Sequence, residues 1–97
     1  MELEWQQKQL LKLLDDLDAT GPESCVLVQV KSSDGGEYLH LQGSRTAQDG
    51  EGLDVDKKYP TRFVYPLRDE GLIGLQPRDG GLFGLWINPE GVTRARS

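Results

Sequence analysis

From Leu3 to Leu17 the apolar residues Leu10, Leu13, Leu14 and Leu17 recur at i, i+3, i+4 and i+7, the spacing of one stripe on an α-helix. Lys8, Lys12 and Asp16 take the solvent side. Thr20-Gly21-Pro22 offers a left-handed cap candidate and then a residue that forbids continuation, which predicts a stop near Asp18. The period then changes. Cys25 to Lys31 and Glu37 to Gln42 are β-branched or alternating runs on either side of Ser32-Ser33-Asp34-Gly35-Gly36, which predicts a β-hairpin. Val26, Val28 and Val30 share one face of it, and Tyr38 and His40 lie opposite Leu39 and Leu41.

Residues 43–56 turn to Ser, Thr, Gln, Gly and acid, with Ser44 a candidate cap for one short turn through Gln48. Lys57 to Glu70 then sets Tyr59, Phe63 and Leu67 at helical spacing, predicting a helix over 57–70. Pro60 suits its first turn, whereas Pro66 does not suit its interior. Either the helix kinks before Pro66, or 61–65 are extended and only 66–70 form a turn. Gly71 reads as a positive-φ exit, and Leu72, Ile73 and Leu75 open a strand that Pro77-Arg78-Asp79-Gly80-Gly81 turns back into Leu82 to Ile87. Phe83 and Trp86 fall on opposite faces of this strand, so one packs inward and the other is partly exposed. Asn88-Pro89-Glu90-Gly91 reads as a turn, leaving 92–97 as a short segment or a frayed basic tail.

Length and composition fix the class. The chain of 97 residues is expected to form a single domain around one modest core, and its 36% apolar and 28% charged residues are ordinary for a folded soluble protein. Its longest apolar stretches, Cys25 to Val28 and Leu82 to Ile87, fall far short of the roughly 18 residues of a membrane span. The acidic start Met1-Glu2-Leu3-Glu4-Trp5 lacks the basic and apolar regions of a secretory signal, so a cytoplasmic location without membrane attachment is expected. Cys25 has no internal disulfide partner and reads as a buried small hydrophobe. His40 is the only histidine and reads as a solvated or hydrogen-bonded strand residue, so no zinc set is expected. Asp15, Asp16 and Asp18 lack the spacing of a calcium loop, and Gly35-Gly36 is too short to cradle a phosphate. No cofactor and no catalytic constellation is expected, because chemistry requires several converging polar groups.

The charge is unevenly placed. Against a net −5 overall, residues 1–56 carry four basic and twelve acidic side chains, net −8, and residues 57–97 carry seven basic and four acidic ones, net +3. Such asymmetry can orient a protein on a polyanion.

Leu67-Arg68-Asp69-Glu70-Gly71-Leu72-Ile73, taken with Trp86-Ile87-Asn88-Pro89-Glu90-Gly91-Val92, resembles the recognition-helix end and wing exit of the winged helix-turn-helix family, in particular its small bacterial and phage-borne members. Asn88 stands where that family usually has threonine. The likeness covers roughly 57–92, with helix 3–17 in the place of the family's first helix and the hairpin 25–42 where the family has one short strand and a second helix. It implies an α+β, winged-helix-like fold: an N-terminal helix packed on small antiparallel hairpins with a C-terminal wing, one domain over 1–97. It also implies a DNA-binding protein, a transcriptional or phage or mobile-element regulator, with helix 57–70 in the major groove of double-stranded DNA and the 77–81 tip on the backbone or minor groove. Lys57, Lys58 and Arg62 would contact phosphate, and Arg62 or Thr61 would reach a base edge. Arg78 at the wing tip, with Arg94 and Arg96 from the tail, would add backbone contacts. Neutralising about four phosphates gives a log–log salt slope near about −3.6. The acidic first half, the proline-broken helix and the strand aromatics support a second reading, a non-enzymatic protein-interaction module that dimerises or docks on a host factor without binding DNA.

Overall fold

In the computed structural model, which describes residues 2–42 and 56–97, the leucine stripe forms α1 (Trp5–Asp16). Its start is a capping box in which the Glu4 N–H donates to Gln7 Oε1 at 2.8 Å. The helix stops near Asp18, as expected, but the left-handed cap is not at Thr20-Gly21. The left-handed residue is Asp18, with φ 53°, while Gly21 is extended at φ −173°. Asp18 N–H bonds to the Asp15 carbonyl and Ala19 N–H to that of Leu14, the two bonds of a Schellman closure. The turn falls here because Ala19 is fully buried and its carbonyl accepts the Ile87 N–H, which anchors the chain before residues 20–25 lead it into the first strand. Asp18→Gly is expected to raise the urea midpoint by up to about 1 kcal/mol of stability, since it removes a strained backbone and a negative charge at the helix C-terminus.

The sheet comprises β1 (Val26–Ser33), β2 (Gly36–Gln42), β3 (Asp56–Pro60), β4 (Ile73–Pro77) and β5 (Leu82–Ile87), ordered β3-β2-β1-β5-β4 and antiparallel throughout. Between the edge strands β3 and β4 runs α2 (Thr61–Asp69), and α3 (Pro89–Ala95) follows β5. The architecture is therefore α+β: the described residues form three α-helices with a five-stranded antiparallel sheet. Period-two alternation gives the sheet one apolar face. Val26, Val28, Leu39, Leu41, Tyr59, Ile73, Leu85 and Ile87 bury against Leu10, Leu11 and Leu14 of α1 and Val64 and Leu67 of α2. Register places Gln29, His40 and Lys58 in one row on the opposite face, and Lys31 and Tyr38 in the next.

Three further expectations are corrected. Residues 57–60 are not helical: they belong to β3, where Tyr59 pairs with Leu39 and buries as a strand residue, its helical spacing to Phe63 being coincidental. The helix starts at Thr61 and runs through Pro66, so 61–65 are not extended. It tolerates Pro66 because the bond lost is the one to the carbonyl of Arg62, an exposed residue that water can serve. Residues 88–91 are not an isolated turn and 92–97 are not a frayed tail, since Asn88 stands at the N-cap position of α3, Pro89 occupies its first turn, and Val92 and Ala95 pack against the core. By contrast Gly71, at φ 76°, closes α2 as expected, with Leu72 N–H on the Leu67 carbonyl and Gly71 N–H on that of Arg68. The hairpin of β4 and β5 also forms where expected, with Gly80 and Gly81 left-handed at its tip. The turn expected at Ser44 to Gln48 lies outside the described residues.

Candidate functional site

Strand alternation disperses the cations expected to meet nucleic acid. Lys57 pairs with Leu41, on the helix-covered side, and Lys58 pairs with His40, on the open side, where its ammonium sits 5.7 Å from the Tyr38 ring centroid. Thr61 is only 7% exposed and its hydroxyl donates to the Glu37 carbonyl at 3.3 Å, so the side chain expected to reach a base edge is turned inward. Arg62 remains exposed at the start of α2, with its guanidinium 5.0 Å from the Phe63 ring centroid. Arg78 folds back from the hairpin tip, donating to the Pro22 carbonyl at 2.5 Å and reaching 3.6 Å from Cys25 Sγ. Arg94 lies on α3 beside a groove that Glu2, Lys8 and Ser97 also line. Arg96 grips Asp15 through Nε and Nη2 at 2.9 and 3.0 Å, joining the end of the chain to α1. The cations therefore occupy several distinct surfaces.

The bond to Arg96 holds the Asp15 carboxyl below its ordinary pKa and raises that of Arg96, and His40 Nε2, 2.8 Å away, lowers that of Asp56 in the same way. His40 is thus the hydrogen-bonded strand histidine, 8% exposed, that its alternation predicts. For a carboxyl whose folded pKa is depressed, stability is present above the unfolded value and is lost as pH falls through the folded one. Melting temperature is accordingly expected to fall below about pH 4. Asp15→Asn and Asp56→Asn should each flatten this acid limb in a thermal melt.

Two features of this surface carry no simple sequence signal. Trp86 lies on the open face with its indole directly over Gly74, where a Cβ would collide with the ring, and its Nε1 donates to Asn88 Oδ1 at 3.1 Å. Asn88 Nδ2 in turn donates to the Gly71 carbonyl, so one amide ties the exit of α2 to the exit of β5. Phe83 faces the helices and packs against the core, in agreement with the opposite-face expectation. Gln7, 3% exposed, donates to the Phe63 carbonyl and joins α1 to α2. Its signal is legible in the chain, as a glutamine three residues after Glu4 at the head of an apolar run.

The two sheet edges differ sharply. Of the residues of β3, Asp56, Lys57 and Lys58 are charged, whereas β4, Ile73-Gly74-Leu75-Gln76-Pro77, carries no charge. Leu72 with Asn88 and Arg78 with Leu82 are hydrogen-bonded pairs flanking β4, so by alternation Gly74 and Gln76 bond to β5. Leu75 points its N–H and C=O groups away from the sheet, and Pro77 its C=O; Ile73 does the same but is only 2% exposed, so its outward groups are covered. Leu75 is half-buried on one side of this edge and Trp86 on the other, while Gln76 and Pro77 are exposed.

Among the described residues no three His, Cys, Asp or Glu side chains group as a metal ion requires, and no helix is long and apolar enough to cross a membrane. Compared with known proteins, the chain matches no family model, no curated protein and no solved structure.

Proposed function

We propose that this chain is a non-enzymatic protein-interaction module whose contact surface is the outer edge of β4. The observation that carries this reading is the contrast between the edges. Lysines on an edge strand discourage further pairing, and β3 has two, whereas β4 is uncharged, turns the Leu75 N–H and the Leu75 and Pro77 carbonyls outward, and is bordered by Leu75 and Trp86. An edge of that kind recognises an extended peptide backbone, with apolar contacts on either side. Light scattering together with affinity capture on the protein and on its Gln76→Lys variant tests it. Self-association or a captured partner that the lysine abolishes is the expected result. A monomer at every concentration that captures nothing counts against the reading.

A second reading, a DNA-binding regulator of winged-helix type, draws on one specific observation: α2, Gly71 and the β4–β5 hairpin follow one another in the order of that family's recognition helix and wing. Arg62 and Arg68 are the exposed cations of that helix. If it holds, mixed-sequence duplex DNA is bound at low salt and Arg62→Ala weakens binding, with a salt slope shallower than four dispersed contacts would give.

A further inference from the structure

We infer that the side of the sheet left open by the helices binds a single strand of nucleic acid, unpaired bases on a phosphate backbone, independently of the β4 edge. The helices bury one face of the sheet, and alternation puts Lys31, Tyr38, Lys58 and Trp86 on the other. Arg78 joins them. A Cβ on Gly84, an open-side position beside Leu27, would lie 3.1 Å from Arg78 Nε, so this side chain lies across the same face. Its partners are the Pro22 carbonyl and the Cys25 sulfur, neither of which neutralises it. Against these three cations, the described open-side positions of the strands carry one carboxylate, Asp56, which is bonded to His40. A chain of net charge −5 thus turns a cationic face outward, complementary to a polyanion.

Cations alone would take any polyanion, and the aromatic rings are what select unpaired bases. The indole of Trp86 meets Gly74 through its flat face, since Cε2, an atom recessed from the ring edge, is the nearest to a Cβ built there. Its other face is turned outward, and the bond from Nε1 to Asn88 Oδ1 holds the ring in that plane. Arg78 lies beside it over Gly84. At the opposite corner Tyr38 has Lys31 across from it on β1 and Lys58 on β3, the ammonium 5.7 Å from the ring centroid. Each ring therefore stands with a cation, the pairing that a base and its phosphate require. Tyr38 lies opposite Lys31 and Trp86 lies past Val26, so strand rise and spacing set the rings about 20 Å apart, the reach of a few extended nucleotides. Gln29, exposed between them, offers a donor and an acceptor to a base edge. A duplex, whose bases stack on one another, has no open base faces to offer these rings.

Fluorescence titration tests the site. Of the two tryptophans Trp5 is 70% exposed, so Trp5→Phe spares the core and leaves Trp86 as the sole indole. A short mixed-sequence strand, added as DNA and as RNA, is expected to quench Trp86 saturably, with a log–log salt slope near about −2, roughly 0.7 per phosphate over three cations. Lys31→Gln and Lys58→Gln should each weaken binding several-fold and flatten that slope, Tyr38→Leu should weaken it about tenfold, and Lys12→Gln on α1 should change nothing. Thermal melts check that each variant folds, and should Tyr38→Leu fail, the two lysine variants decide. Binding of either strand carries the proposal and names its source. Absence of quenching at low salt, equal binding of inorganic polyphosphate or of the matching duplex, or affinity untouched at Lys31 and Lys58 overturns it, and leaves the reading of β4 as a protein contact standing.

Discussion

Gly91→Ala should lower the stability of the fold by about 3 kcal/mol in urea denaturation, and Gly91→Val should leave no cooperative transition. The glycine is buried in α3, and a Cβ there would collide with the Leu72 carbonyl oxygen and lie 2.7 Å from Ile87 Cγ1. Neither neighbour can give way cheaply. The Leu72 carbonyl accepts the Asn88 N–H at 2.9 Å, and Ile87 is fully buried with its own N–H on the Ala19 carbonyl. Relief therefore demands that α3 lift from the sheet, exposing Val92 and Ala95. Gly21→Ala is the matching control, because a Cβ at that position would have no atom within 4 Å and the backbone there is extended. It should change stability by less than about 0.5 kcal/mol.

Leu67→Ala is the second substitution with a large expected effect, a loss of about 3 kcal/mol with an unchanged denaturant slope. Leu67 is fully buried on α2, the helix that joins the two edge strands. Truncating it leaves a void in the hydrophobic core. Its carbonyl also accepts the Leu72 N–H in the closure at Gly71, so the void sits beside the turn that aims β4. Arg62→Ala, on the exposed side of the same helix, should by comparison cost less than about 0.5 kcal/mol, since it removes no buried packing.

Much of the fold is legible where one period dominates. The leucines of α1, the alternation through Val26, Val28, Leu39 and Leu41, and the glycine punctuation around β4 and β5 each specify an element that forms. Misreading comes where two periods coincide. Tyr59, Phe63 and Leu67 satisfy helical spacing, yet Tyr59 belongs to a strand, because pairing with Leu39 offers the backbone of β3 a ladder that local spacing cannot reveal. At the end of α1 local rules favour Gly21 over Asp18, since glycine is the usual left-handed residue, whereas burial of Ala19 decides where the chain has to turn. The dispersal of the cations has the same origin as the misread helix: once Lys57 and Lys58 occupy a strand, consecutive positions face opposite ways. The uncharged run of β4 is visible as composition. That it forms a sheet edge depends on strand order, which no local pattern encodes.

Glu2 and Leu3 share a groove with Ala95 and Ser97, and Arg96 ties α3 to the last turn of α1 through Asp15. Residues 2–3 and 95–97 thus lie side by side. A brief glycine-serine bridge between residues 2 and 97, with new ends cut at the exposed bend of Asp34 and Gly35, is expected to give a circular permutant of 2–97 with the same sheet and a rearranged order of synthesis.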